Sequence, residues 1–88
     1  MRLDTVESNA IHAIGYDPET HLLEIVFNTG RIYQYGDVPS QVYTEFMQAE
    51  SKGNYFQENI RGEFEYWELD AETAKFLRGQ SEMNLGKP

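Results

Sequence analysis

Two turn sequences separate three β-strand-like segments, and this spacing constrains the fold more than any other feature of the 88-residue sequence. The first turn, residues 17–20, has Pro18 at its second position, where the fixed φ of proline fits a type I or II turn. The second turn ends in Gly30, which can adopt the positive φ of a short hairpin loop. The three segments are residues 11–16, 21–27 and 31–35. Strands joined by such short turns pair antiparallel, so the sequence predicts a three-stranded antiparallel meander.

One α-helix is predicted to follow the meander and to cover one of its faces. It opens at Pro39, because proline is suited to the first turn of a helix. Gly53, which follows Lys52, provides its C-terminal stop. The apolar residues that recur at the spacing of one helical face are Val42, Tyr43, Phe46, Met47 and Ala49. The predicted fold class is therefore α+β.

Residues 63–69 fit two kinds of element. Acidic and aromatic residues alternate at the start of this segment, as they do along a strand. Periodicity alone leaves both structures open, because four residues also fit one face of a helix: Phe64, Trp67, Ala71 and Ala74.

A short C-terminal helix is predicted over residues 71–78. Asp70 is a good N-cap for this helix, and Gly79 provides its stop. We therefore expect a single domain over residues 1–79, followed by a flexible polar tail over residues 80–88.

The chain is strongly acidic, with 15 acidic against 7 basic residues and a formal net charge of −8. Proteins that bind nucleic acid usually carry a basic excess, because contacts to phosphate dominate their affinity. The total charge therefore gives no electrostatic support for a nucleic-acid ligand, although it leaves room for a local basic patch.

Cellular location and redox chemistry follow from what the sequence lacks. It has no cysteine, which excludes disulfides and thiolate metal sites. Residues 1–7 contain one positive charge with no apolar run behind it, unlike a signal peptide. No stretch approaches the ~18 apolar residues that span a bilayer. The expected location is cytoplasmic, without membrane association.

The order of several short motifs resembles one known family. They are Ser8-Asn9, Ile14-Gly15-Tyr16-Asp17, Leu23-Glu24-Ile25-Val26-Phe27, Gly30, Tyr33-Gln34-Tyr35, Val38-Pro39, Val42-Tyr43, Phe46, Ala49, Ser51, Gly53, Tyr55-Phe56 and Ile60. This succession, over roughly residues 5–62, resembles the KTSC domain, named from the C-terminal domain of some lysyl-tRNA synthetases and also found as stand-alone bacterial proteins. The central mark of the family is a Tyr-x-Tyr, matched here by Tyr33 and Tyr35. The resemblance implies a small domain of undetermined function, with RNA, and tRNA in particular, as the ligand suggested by the synthetase context.

The two tyrosines of this motif have two interpretations. With residues 28–30 as the loop, Ile25 lies opposite Tyr33 and Leu23 opposite Tyr35, on the face that the helix covers. This register favours core rings whose hydroxyls reach polar partners at the rim. The alternative is a stacking platform for RNA bases, such as exposed sheet aromatics provide. A slip of the register by one residue would move both tyrosines to the other face of the sheet and so favour the stacking platform over the core.

Six residues are candidate contacts to RNA: Arg31, Tyr33, Tyr35, Lys52, Tyr55 and Arg61. The three cations among these residues could converge on a small anion site together with Asn54 and Asn59. The alternative is three separate solvated charges, with Lys52 placed where a helix C-terminus favours a cation.

A protein partner is the alternative ligand. The stretch after Gly62 mixes acidic and aromatic residues, which can form a docking surface for a basic protein. Phe64, Trp67 and Glu68 are the candidate contacts, with Trp67 foremost because tryptophan is common in binding hot spots. The other interpretation of this stretch is an ordinary amphipathic element.

Catalysis, cofactors and metals are not expected. The sequence has no nucleophile motif and no phosphate-binding loop. His12 and His21 lie on different predicted strands, and two histidines alone do not form a metal site. No carboxylate is singled out as an acid or base, so we predict a non-enzymatic domain. The sequence does not indicate an oligomeric state.

Overall fold

A five-stranded antiparallel sheet forms the centre of the computed structural model, which describes residues 2–70 and residue 72. The strands are β1 (Leu3–Thr5), β2 (Ile11–Asp17), β3 (Leu22–Phe27), β4 (Ile32–Tyr35) and β5 (Tyr66–Leu69). They lie in the sheet in the same order as in the chain. Strands β2, β3 and β4 are the three predicted segments, but the predicted number of strands was wrong, because β1 and β5 add one strand at each side.

Long-range pairing explains why β5 is a strand and not a helix. Gly62 has a φ of 82°, a backbone conformation that glycine adopts readily, and the chain reverses there toward the sheet. β5 then pairs with β4, which places Tyr66 opposite Tyr35 and Trp67 opposite Gln34. The hydrogen bonds to β4 are not visible in local periodicity, which is why residues 63–69 were ambiguous in the sequence.

The predicted single helix is divided into two parts. α1 (Ser40–Gln48) begins after Pro39, as predicted, but the prediction that Gly53 ends it was wrong. The chain restarts at Ser51, whose Oγ accepts a hydrogen bond from the Asn54 N–H at 3.2 Å. This cap opens α2 (Lys52–Tyr55), which continues into a π-helical turn (Phe56–Ile60). Gly53 thus lies inside a helix that a local serine cap begins.

The predicted C-terminal helix over residues 71–78 and the predicted tail over residues 80–88 lie outside the described residues, apart from Glu72. The described part of the chain contains both strands and helices, which agrees with the predicted α+β class.

The core lies between the sheet and the helical segments. Its fully buried side chains are Ile11, Ile14, Leu23, Ile25, Val38, Phe46 and Ile60. Phe46 of α1 stacks on Tyr55 of α2 with ring centroids 5.5 Å apart, and Tyr43 of α1 stacks on Tyr16 of β2 at 4.8 Å. Aromatic pairs in these geometries add to the free energy gained by burial.

Replacement of Phe46 by alanine is expected to lower the free energy of unfolding by about 3–5 kcal/mol, because it leaves a cavity in a small core. Urea denaturation followed by circular dichroism measures the change. Thr44→Ala, on the exposed side of the same helix, is the matched control and is expected to change stability by less than about 0.5 kcal/mol. Equal effects of the two substitutions would contradict this account of the core.

Candidate functional site

An open cleft of about 380 Å³ lies where β3, β4 and β5 meet the π-helical turn. We call it the aromatic cleft, and its lining residues are Phe27, Tyr33, Tyr35, Phe56, Arg61, Gly62 and Tyr66. Five of these seven residues are aromatic, one is cationic and none is acidic.

Strand pairing places three tyrosines on one face of the sheet. Tyr33 pairs with Ile25 and Tyr35 with Leu23, which confirms the predicted register between β3 and β4. Directly opposed residues share a face, so Tyr66, which is opposite Tyr35, joins them. The ring centroids of Tyr35 and Tyr66 are 5.7 Å apart in a stacked arrangement, and those of Tyr33 and Tyr66 are 5.8 Å apart.

The three rings differ in burial. Tyr35 is only 4% exposed and belongs to the core. Tyr33 is half-buried and packs against the core with one side. Tyr66, at the edge of the described sheet, is 60% exposed. The two tyrosines of the Tyr-x-Tyr motif therefore differ in their surroundings. Tyr35 is a core ring, whereas Tyr33 lines an open cleft.

Phe27 and Phe56 hold the tyrosines in place. Phe27 meets Tyr33 edge-to-face at 5.6 Å and meets Phe56 in the same way at 5.4 Å. Phe56, presented by the π-helical turn, also contacts Tyr35 edge-to-face at 5.8 Å. Aromatic pairs prefer such geometries, so the network fixes the ring orientations before any ligand arrives.

Two arginines stand beside these rings. Arg61 lines the aromatic cleft, and its Nη1 donates a hydrogen bond to Gln57 Oε1 at 3.0 Å. Arg31, just before β4, has its Nη1 3.7 Å from Glu68 Oε1 of β5, and both side chains are exposed to solvent. A hydrogen bond with Tyr33 and the charge of Glu68 raise the pKa of Arg31, so its guanidinium is always charged.

Burial raises the pKa of Tyr35 to about 12, with smaller contributions from the neighbouring hydroxyls of Tyr33 and Tyr66. The charge of Arg61 acts in the opposite direction. The Tyr35 hydroxyl consequently stays protonated over the physiological range and remains a hydrogen-bond donor.

Lys52 and Tyr55 lie away from the aromatic cleft. The Lys52 Nζ donates a hydrogen bond to Ala49 O at 2.6 Å and lines a separate cavity of about 630 Å³, whose lining includes Glu7 and Glu50. The Tyr55 hydroxyl donates to Glu45 Oε1 at 3.0 Å. Of the six predicted contacts, the structure brings together four, namely Arg31, Tyr33, Tyr35 and Arg61.

The two asparagines considered for an anion site are also separated from this cleft. Asn54 lines the cavity of Lys52, and the Asn59 side chain donates to Tyr55 O at 3.3 Å. The three central cations therefore do not converge on one site: Lys52 lines its own cavity, Arg61 lines the aromatic cleft, and Arg31 lies beside Tyr33.

The candidate protein-binding residues occupy different surroundings. Phe64 is half-buried and packs against the core. Trp67 is 41% exposed on the sheet face opposite to Tyr66, and its Nε1–H donates to Gln34 Oε1 at 2.9 Å. Its ring lies above Gly36, where an added Cβ would come within 3.5 Å. Glu68 forms the ion pair with Arg31.

Three aromatic residues of the aromatic cleft were not predicted as contacts: Phe27, Phe56 and Tyr66. Phe27 and Phe56 are part of the family motif, but no binding role was predicted for them from the sequence. Tyr66 could have been found from the strand-like alternation of residues 63–66, had that been preferred to the helical spacing.

The described residues contain no group of three or more side chains suited to holding a metal ion. None of the helices in this part of the chain is long and apolar enough to cross a membrane.

Comparison with known proteins places residues 7–64 within the KTSC domain. An uncharacterized protein of Stutzerimonas stutzeri is 32% identical over 71 residues, which cover 80% of this chain and all of that protein. A lysine–tRNA ligase of a Nostoc species is 43% identical over 63 residues, which are 72% of this chain but 11% of the ligase. The crystal structure of a KTSC domain protein from Yersinia pestis matches with a TM-score of 0.74 at 40% identity, over 77% of this chain and 96% of that one.

The raised pKa of Tyr35 predicts an alkaline loss of stability. Ionisation is harder in the folded than in the unfolded chain, so the contribution of Tyr35 is fully present below pH 10 and is lost as the pH rises toward 12. Tyr35→Phe is expected to reduce this loss and to remove the last component of the tyrosine absorbance titration. Tyr66→Phe, which removes a hydroxyl at the exposed rim, should leave that component in place. If the last component of the titration persisted in Tyr35→Phe, its assignment to Tyr35 would be contradicted.

Proposed function

This chain belongs to the KTSC domain family, and we propose that it is a non-catalytic domain that binds single-stranded RNA in the aromatic cleft. The observation that carries the proposal is the local composition of this cleft. On a chain with a net charge of −8, the described residues that line the cleft combine five aromatic rings with an arginine and include no carboxylate. A ligand with flat rings and negative charge fits such a lining.

The exposed rings provide stacking surfaces. Tyr66 and Tyr33 present open ring area beside the buried Tyr35. Single-stranded RNA is recognised largely by stacking of unpaired bases on aromatic side chains, worth about 1–3 kcal/mol per base. The edge-to-face contacts of Phe27 and Phe56 hold the rings in place, so little conformational entropy is lost on binding.

The two arginines supply contacts to phosphate. Guanidinium groups bind phosphate oxygens with charge-assisted hydrogen bonds. The ion pair between Arg31 and Glu68 is 3.7 Å long and exposed, and such pairs contribute little, so a phosphate can replace the carboxylate. Among the described residues, the guanidinium of Arg61 bonds to the neutral side chain of Gln57, which leaves its charge available.

The similarity to lysine–tRNA ligases is the reason for proposing tRNA in particular as the RNA ligand. A segment of the Nostoc ligase resembles this chain, and the name of that enzyme identifies tRNA as its substrate. The matched segment is only 11% of the ligase, so aminoacylation itself is not transferred to this chain. We therefore propose an unpaired segment of tRNA as the natural ligand.

The cleft chemistry supports binding without catalysis. Among the described residues, its lining has no carboxylate, imidazole or thiol that could act as a general base or nucleophile. The raised pKa of Tyr35 also makes its hydroxyl a poor base at neutral pH.

Fluorescence anisotropy with labelled tRNA and a single-stranded oligoribonucleotide tests the proposal. Tyr66→Ala is expected to weaken binding by about 5- to 100-fold, since one stacking surface is lost. Arg61→Met should reduce the slope of log affinity against log salt by about 0.7, the value for one phosphate contact on a single strand. Glu68→Gln is expected to tighten binding, because it frees Arg31 from its carboxylate partner.

Lys52→Met is the matched control for Arg61→Met, since both remove one cation and Lys52 lies in the other cavity. In Lys52→Met, the slope of log affinity against log salt is expected to fall by less than half as much as in Arg61→Met. The absence of any binding at low salt by the folded wild-type protein would refute the proposal, as would equal slope changes in the two variants.

A second candidate function, binding of a basic protein segment, is favoured by the exposure of β5. Tyr66 and Trp67 are the large hydrophobic residues exposed in the described part of the chain, and β5 is an edge of the described sheet. An extended peptide can add to such an edge through main-chain hydrogen bonds. Phe64, Trp67 and Glu68 would contribute packing and charge.

Calorimetry with an extended peptide of alternating lysine and valine tests this second function. Trp67→Ala is expected to lower the affinity for the peptide several-fold and to leave RNA binding unchanged, because Trp67 lies on the sheet face opposite to the aromatic cleft. Trp67→Phe keeps a ring above Gly36 and separates the loss of packing from the loss of the Nε1–H. Equal peptide affinity of wild type and Trp67→Ala would rule this function out.

A further inference from the structure

We infer that the RNA site has a second compartment at the β3–β4 loop, so that it takes two successive nucleotides of a single strand. The inference rests on the proposed function and adds to it the length of the bound segment and a second set of contacts. The observation behind it is a cavity lined by two of the six predicted RNA contacts, Arg31 and Tyr33.

This cavity, the hairpin cleft, has a volume of about 400 Å³. Its lining residues are Asn9, Ala10, Phe27, Asn28, Thr29, Arg31 and Tyr33. Phe27 and Tyr33 line the aromatic cleft as well, so the two cavities meet at this ring pair. Together they form one groove with two compartments, each within the volume range of small-ligand sites.

The two compartments repeat the same chemistry. In the part of the chain that the structure describes, each contains one arginine, Arg61 in the aromatic cleft and Arg31 in the hairpin cleft, and neither is lined by a carboxylate. Both also use the rings of Phe27 and Tyr33. A nucleotide is a flat ring joined to a phosphate, so two adjacent compartments that each offer aromatic surface and a guanidinium match two consecutive units of a strand.

Hydrogen bonds hold the hairpin cleft in shape before a ligand binds. The backbone N–H of Asn28 donates to Ala10 O at 2.8 Å, and its side-chain Nδ2 donates to Ser8 O at 3.1 Å. The loop is closed by the Gly30 N–H, which donates to Phe27 O at 2.9 Å. These contacts tie the loop to the segment between β1 and β2, which forms the facing wall of the cleft.

The hairpin cleft also offers groups that can distinguish bases. Asn9 and Thr29 contribute an amide and a hydroxyl, both of which can bond to the edge of a base. The Nδ2 of Asn28 is engaged by Ser8, which leaves the carbonyl oxygen of that amide as an acceptor. None of the described residues that line the aromatic cleft has an amide side chain, so we expect base selectivity to reside in the hairpin cleft.

Titration of the labelled protein with uridine monophosphate and with the dinucleotide of two uridines tests this inference by nuclear magnetic resonance. Amide signals of Gly62 report on the aromatic cleft, and those of Thr29 and Gly30 report on the hairpin cleft. We expect both probes to shift Gly62, and only the dinucleotide to shift Thr29 and Gly30. A second stacked base should tighten binding by about tenfold.

A pair of isosteric variants provides the control. Asn9→Asp places a carboxylate in the hairpin cleft and is expected to reduce dinucleotide affinity to that of the mononucleotide. Gln48→Glu introduces the same charge on the exposed side of α1, at a residue that lines none of these cavities, and should change neither affinity, because charges in solvent are screened within about 8 Å at physiological salt.

The possible failures are distinguishable. If the dinucleotide binds no more tightly than the mononucleotide and Thr29 does not shift while Gly62 does, the second compartment is refuted and the aromatic cleft remains the RNA site. If neither probe shifts Gly62, the proposed function fails, and the second compartment with it.

Discussion

The pairing of β4 between β3 and β5 is the constraint on which the rest of the structure depends. On one side it sets Tyr33 and Tyr35 against Ile25 and Leu23, and on the other it sets Tyr35 against Tyr66. Because the side chains of a strand alternate between faces, a shift of one residue would carry the tyrosines to the other face and remove the cleft. The register therefore decides the composition of the core and of the site together.

The core and the site share the same rings. Tyr35 and Phe56 are buried in the core and also line the aromatic cleft, while Tyr33 and Tyr66 extend that surface toward solvent. A small domain buries only about 60% of its unfolded surface, so it has few large side chains to reserve for binding alone. Use of one aromatic cluster for both purposes gives a rigid cleft, because the buried rings fix the positions of the exposed ones.

Charge is distributed unevenly over this acidic chain. Acidic residues outnumber basic ones by about two to one, yet no carboxylate of residues 2–70 lines either compartment of the groove. Glu68 is the acid that the structure pairs with a groove arginine, and its ion pair with Arg31 lies in solvent. Total charge was therefore a poor guide to this surface, since the groove depends on which few side chains meet there.

The sequence by itself determined the central meander, the β3–β4 register, the start of α1 and the family, because turn residues, strand periodicity and a helix-initiating proline are local signals. Tertiary structure alone decided what depends on distant pairing. It made β1 and β5 strands, began a second helix at Ser51, and brought Tyr66 and Arg61 to the Tyr-x-Tyr strand while leaving Lys52 and Tyr55 elsewhere. Residues 33 and 66 are far apart in the chain, and no local pattern encodes the hydrogen bonds that join their strands.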